Sequence, residues 1–180
     1  MYSSLEEELF FSQKVIIQKK YTNLELKLLH FFHEKTKIYA ENIIIIKNFI
    51  LFFVRNDIYF KAKVFLSSLR KQFNSKKILI IRVENTLITL LFSFFPDPYI
   101  NNVKLEINKK TGENLINLSF ISFEERGIAI GRSGEYIKAV NEIFKNNVSF
   151  EKYATFEKYK IPLKIKCEFI PLTKEHPSDR

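Results

Sequence analysis

The run IIIIKNFILFFV, Ile43 to Val54, limits the fold of this 180-residue chain more than any other stretch. At about 12 residues it falls short of the ~20 that a membrane-spanning helix needs, and Lys47 and Asn48 interrupt it. Its side chains have to be buried within protein, as strands. Residues 42–83 continue in the same style, rich in Ile, Val, Phe and Tyr, with polar breaks at Lys47-Asn48, at Arg55-Asn56-Asp57 and at residues 74–77. That spacing predicts a small antiparallel sheet or barrel, with Arg55-Asn56-Asp57 as a hairpin turn.

The flanks read differently. Thr22 followed by Glu25 has capping-box spacing, and Leu24, Leu28, Phe31 and Phe32 recur with helical period, so residues 1–36 are expected to be helical. Ser4 and Glu7 repeat the signature ahead of a first short helix. After the strand-rich block, Asn85 is placed to cap a helix that buries Leu87, Leu90, Leu91 and Phe94 and stops at Pro96 and Pro98. Two alternating segments, one with Val103, Leu105 and Ile107 on a single face and the next with Ile116, Leu118 and Phe120 on a single face, predict a half-buried hairpin turning at Gly112. A short helix over 127–130, a longer one over 135–145 and a strand NVSFEKY follow. The segment KIPLKIKCEFIPL alternates strictly and predicts a separate edge strand with a basic outer face, its edge position suggested by Pro162. The tail KEHPSDR reads as unstructured, and no internal repeat is apparent in the residues.

A balance of 29 Lys+Arg against 20 Asp+Glu gives a net charge of +9, spread along the chain, which favours a polyanionic partner. A single cysteine, Cys167, leaves no internal disulfide and points to a reducing compartment. The opening MYSSLEEELFF carries acids where an import signal carries bases, so a soluble, intracellular protein is expected. Heavy use of Ile, Phe, Lys and Asn suggests an AT-rich source, the cytoplasm of such a prokaryote or an organelle interior such as plastid stroma.

Three of the four glycines, Gly127, Gly131 and Gly134, fall within eight residues. Gly127 enters the short helix after Arg126. The loop Gly131-Arg132-Ser133-Gly134 joins two predicted helices, and glycine at both ends permits backbone angles and a close approach barred to other residues. Arg132 adds a cation and the following helix N-terminus adds oriented N–H groups, an arrangement suited to a phosphodiester.

GIAIGRSGEYIKAVNEIF, within the order helix, strand, strand, helix, helix, strand, resembles a KH domain of the type II topology, whose GXXG loop clamps four backbone nucleotides. More narrowly, AIGRSGEYIKAV and the upstream LLFSFFPDPYINNVKLEI are similar to the KH modules of the NusA transcription elongation and termination factors. The resemblance is carried by residues 84–153. It implies an α+β fold in four parts: an N-terminal helical segment (1–36), a β-rich region that could be a degenerate OB-type barrel (37–83), the KH domain (84–153), and a C-terminal strand with its tail (154–180). It also implies a non-enzymatic accessory factor of transcription that grips single-stranded RNA, with RNA polymerase as protein partner and with no membrane, cofactor or small-molecule substrate. Gly131, Arg132, Ser133 and Gly134 would meet the RNA backbone, Arg126 and Lys138 would add charge, and Ile128, Ile130 and Ile137 would form an apolar floor under the bases. The family carries two KH modules, whereas this chain has one GXXG. The competing reading is a small-subunit ribosomal or ribosome-assembly protein, where type II KH domains also occur.

Other features read as ordinary. Lys109 and Lys110 either extend the basic surface or serve solubility. His30 and His33 sit three apart on a helix without a third ligand nearby, too little for a metal site. No catalytic constellation accompanies Glu124-Glu125 or the acids Glu6 to Glu8.

Overall fold

The computed structural model describes residues 4–73, 75–152 and 158–171, so the expectation for KEHPSDR (174–180) lies outside the described residues. The chain opens with α1 (Ser4–Phe11), β1 (Val15–Ile17) and α2 (Asn23–Thr36). At α2 the Thr22 hydroxyl accepts from the Glu25 N–H while the Glu25 carboxylate accepts from the Thr22 N–H at 2.8 Å. This closes the capping box, a feature worth about 1 kcal/mol.

The long apolar run becomes β2 (Asn42–Ile46) and β3 (Phe49–Val54), paired antiparallel with Ile46 opposite Phe49. Lys47 and Asn48 form the two-residue turn, with Lys47 at φ 50°, the positive φ that such hairpins call for. Arg55-Asn56-Asp57 is therefore not the hairpin turn. Arg55 and Asp57 pair with each other and the chain enters a 3-10 turn (Asn56–Ile58). It then forms α3 (Tyr59–Lys63) and α4 (Leu66–Lys71) before β4 (Lys77–Arg82) lies down parallel to β3. Residues 37–83 thus form an open three-stranded sheet of order β2-β3-β4 crossed by helices, in place of the expected antiparallel sheet or barrel. The cause is legible at Tyr59, Ala62 and Leu69, buried at helical spacing within a segment whose aromatic and β-branched content suggests strand.

Both faces of this sheet are covered. Along β3, Phe49, Leu51 and Phe53 join the main core, while Ile50, Phe52 and Val54 pack against α2, α3 and α4. Continuous apolar runs are what a sheet with a parallel pair, buried on both sides, requires.

The second half follows with α5 (Leu87–Ser93), β5 (Asn102–Ile107), β6 (Asn114–Phe120), α6 (Phe123–Ile130), α7 (Glu135–Asn146), β7 (Val148–Glu151), β8 (Lys158–Tyr159) and β9 (Leu163–Phe169). Thr86, rather than Asn85, caps α5 through its hydroxyl. β5 and β6 make the expected antiparallel hairpin, with Gly112 at φ 69° in its turn. The third strand of this sheet is β9, parallel to β6, and not the NVSFEKY segment. That segment supplies β7, which pairs with β1 and β8 in a separate small sheet. β9 lies at the edge of this sheet, as its sequence predicts, with β6 as its neighbour, and its inner residues Leu163, Ile165 and Cys167 join the core beside Ile116, Leu118 and Phe120.

The result is a mixed α+β fold with three small sheets, and its two larger sheets repeat one plan. Each unit is built as helix, strand, strand, helix, helix, strand, with an antiparallel first pair and a parallel return to the middle strand: α2-β2-β3-α3-α4-β4, then α5-β5-β6-α6-α7-β9, the second with β7 and β8 inserted between α7 and β9. Even the start is shared, since Asn42 and Asn102 each accept through Oδ1 from the next residue's N–H. An internal repeat therefore exists in topology where none is apparent in sequence. The units share one core, into which β3, β4, α5, α6, α7 and β9 all send side chains, and α1 is bound to the second unit through Phe10 and a Leu105 N–H to Glu7 bond of 3.0 Å. No helix among the described residues is long and apolar enough to cross a membrane.

Candidate nucleic-acid interface

The glycine loop is built from its flanking helices. Ser122 caps α6, its hydroxyl accepting from the Glu125 N–H at 3.1 Å, so the helix starts four residues before Gly127. Gly127 is an interior, exposed helical position with nothing within 4 Å of where a side chain would begin. α6 ends as the Gly131 N–H donates to the Gly127 carbonyl at 2.9 Å, and the Gly134 N–H donates to the Gly131 carbonyl at 3.1 Å. Gly131 has φ 75° and ψ 171°, and a Cβ there would lie 2.7 Å from Tyr136 Cβ. Glycine is the residue that fits. Gly134, at φ 71° and ψ 17°, has space and a left-handed helical backbone.

Between them Arg132 and Ser133 are exposed, and Ser133 holds φ 52°. α7 then starts without a side-chain cap; its first N–H, that of Glu135, donates to the Arg132 carbonyl within the loop. Lys138 Nζ donates to the Ser133 carbonyl at 3.4 Å, holding an ammonium beside the bracket. Glu135, in the first turn of α7, is the local opposing charge.

The sequence-predicted residues separate into two groups. Ile130 lies beside Gly134, its Cγ2 3.8 Å from the Cβ position there, and Ile130 and Ile137 are both half-buried in the core margin. Ile128 is 49% exposed and lines a different cleft, with Phe49, Phe95 and Tyr136. The three isoleucines thus do not form one floor. Two residues along α6 is a rotation of about 200°, which carries Ile128 away from the side that holds Arg126 and Ile130. Arg126 reaches β9, its Nε donating to the Cys167 carbonyl at 3.1 Å. Lys109 and Lys110 are exposed in the β5–β6 turn.

What sequence reading missed is a concavity of about 590 Å³ along α7 that collects Lys138, Lys145, Lys47 and Lys164. Lys47 comes from the hairpin of the first unit and is paired with Glu142 at 3.3 Å. Asn141 locks the α7–β9 seam, its Nδ2 donating to the Ile165 carbonyl at 2.9 Å and its Oδ1 accepting from the Ile165 N–H at 2.7 Å. A polar residue at helical spacing amid Ile137, Val140 and Phe144 was the available signal.

Elsewhere His33 stacks on Tyr39 at 3.8 Å and His30 faces Glu34 at 3.2 Å. Burial pushes the Cys167 thiol up to about 12, against a smaller opposing effect from Arg126. Burial likewise raises the Tyr136 hydroxyl, which donates to the Phe94 carbonyl.

These features define a two-unit α+β protein with a single glycine bracket. No family model matches the chain, and no curated protein matches it. Among solved structures it is similar to the crystal structure of APE1850, an uncharacterised archaeal protein, with 21% identity and a TM-score of 0.54 over 81% of this chain and 100% of that one. Neither unit alone amounts to 81% of the chain, so the shared fold includes both.

Proposed function

We propose that the second unit is a KH module of type II topology in a NusA-like accessory factor of transcription, gripping single-stranded RNA without a catalytic step. The observation that carries this reading is the bracket. Gly131 leaves no room for a side chain, and Arg132 and Ser133 are exposed in a turn with left-handed backbone at Ser133, directly before α7 begins. Phosphate oxygens would meet Arg132 and the N–H groups, with Lys138 adjacent. The lysines along α7 supply a cationic continuation.

The repeated topology supports the narrower, NusA-like part, because that family carries paired modules. The first unit has Val64-Phe65 between α3 and α4 where the second has its glycines, so a single grip is proposed. RNA polymerase is the proposed protein partner.

The test replaces Arg132 and Ser133 together by Asp. Affinity for a short unstructured RNA is expected to fall severely with the melting curve retained; unchanged affinity would mean the loop is structural. If about three phosphates are neutralised, log affinity should fall with log salt with a slope of about −2.

A further inference from the structure

Two short helices, α1 against the second unit and α3 in the first, carry the same surface pattern with opposite charge. In α1 it is Leu5-Glu6-Glu7-Glu8-Leu9, and in α3 and its C-terminal cap it is Phe60-Lys61-Ala62-Lys63-Val64. We infer that these are the two halves of one contact, by which the outer face of α1 docks on the α3 corner of a second copy of this chain.

Helical spacing sets the pattern. At about 100° per residue, positions i and i+4 share a face, and positions i+1 and i+3 flank it on either side. In α1 the apolar pair is Leu5 and Leu9, 64% and 60% exposed, flanked by the exposed acids Glu6 and Glu8. The opposite side of the helix holds it down, with Phe10 in the core and Glu7 on the Leu105 N–H. In α3 the apolar pair is Phe60 and Val64, 73% and 78% exposed, flanked by the exposed bases Lys61 and Lys63, with Tyr59 and Ala62 buried beneath. Val64 keeps helical backbone, φ −57° and ψ −33°, and so stays in line with Phe60.

Three observations select a second copy as the occupant. First, both apolar pairs are open in the folded chain, so α1 does not cover α3 of its own molecule. Second, the charges match. Among the described residues Glu8 has no cation partner and Lys61 no carboxylate partner, while Lys63 is 3.7 Å from Asp97. Because the flanks of each helix carry one sign, acids meet bases whether the helices pack parallel or antiparallel. Third, the α3–α4 corner beside Val64 is concave, a hollow of about 520 Å³ lined by Leu66, Ser67, Arg70 and Lys71, with room for a leucine side chain. A polyanion would use the lysines and leave Phe60 and Val64 uncovered; a helix bearing leucines and acids uses both.

The two faces differ, so the contact is head to tail, and each copy offers one face of each kind. It is small and belongs with the weak interfaces that bury less than about 1,200 Å². Each copy carries a net charge of +9, but at physiological salt that repulsion is screened beyond about 8 Å, while opposite charges at contact still attract.

The full-length protein, freed of nucleic acid, is followed by sedimentation equilibrium at about 0.15 M salt and up to about 1 mM protein. Reversible self-association with a Kd on the order of 0.1 mM is expected. Leu9→Asp and Phe60→Asp alter exposed positions, so each should keep the wild-type melting curve and weaken association by roughly tenfold or more. Mixed in equal amounts, the two variants should form a dimer and nothing larger, because the first retains the α3 corner and the second retains α1. A wild type that stays monomeric up to about 1 mM overturns the inference. Association that Leu9→Asp leaves intact overturns it too, since the corner would then take another surface. So does a mixture that stays as monomeric as its two components. Loss of RNA affinity in Phe60→Asp, with no self-association of the wild type, would assign the corner to RNA instead.

Discussion

Replacing Gly131 by Ala adds one methyl group at the point where the bracket has no room. Two costs can be worked from the geometry. The backbone at φ 75°, ψ 171° lies in a region that is nearly glycine-only, and holding an L-residue there costs about 1–3 kcal/mol. The new Cβ would also lie 2.7 Å from Tyr136 Cβ and 3.2 Å from Tyr136 N. Those atoms belong to the helix start and not to a flexible side-chain end, so α7 has to move, at a further cost of about 1–3 kcal/mol. A total of about 2–6 kcal/mol corresponds to a fall in Tm of roughly 4–24 °C for a chain of this size. Gly127→Ala is the internal control. Its site is helical and open, with nothing within 4 Å, so the same methyl should stabilise by about 0.5–1 kcal/mol. Thermal unfolding followed by circular dichroism reads both variants. A Gly131→Ala protein melting within about 1 kcal/mol of the wild type would refute the close Gly131–Tyr136 contact, and with it the argument that glycine is required there.

Two further outcomes follow from neighbouring groups. Asn141→Ala leaves the Ile165 N–H and carbonyl without their side-chain partners; a loss of about 2 kcal/mol in urea unfolding is expected, and a variant as stable as the wild type would mean water replaces the amide fully. The Cys167 thiol is buried and raised to about 12, so it should stay unreactive toward a disulfide reagent at pH 8 until the protein unfolds. In the unfolded chain the thiol ionises near ~8.5; the native state therefore binds the extra proton, and this contribution to stability is full below that pH and is lost as pH rises toward about 12. Rapid labelling of the native protein at pH 8 would contradict it.

How much of this was legible depends on whether one residue or a partner decided the outcome. Thr22 with Glu25, the β5–β6 hairpin with its alternation, and the glycine bracket are local statements, and local chemistry sets them. The crossover helices were hidden because Tyr59, Phe60, Val64 and Phe65 have strand propensity, which burial of Tyr59, Ala62 and Leu69 against β4 and α2 overrides. The place of β9 was hidden for another reason. NVSFEKY and LKIKCEF both read as strands, and only tertiary pairing decides that the first joins β1 and the second joins β6. At the site, the bracket could be read from spacing, but the separation of Ile128 from Ile130 follows from helix rotation once α6 is known to begin at Phe123.

The repeat makes a division of labour out of what looks like redundancy. In the second unit the sheet keeps one polar face, with Lys164, Lys166 and Glu168 exposed on β9; in the first, β3 is buried on both sides, and no glycine separates α3 from α4. A unit without an open sheet face or a glycine bracket offers no counterpart of the proposed RNA site. It brings Lys47 to Glu142 on α7 and Phe49 to Tyr136 beside Gly131. Lys47 lies in the two-residue turn that joins β2 to β3, and Phe49 directly follows it. The first unit therefore acts on the proposed RNA site through one hairpin tip, which packs against Tyr136 beside the bracket and supplies one cation of the groove at once.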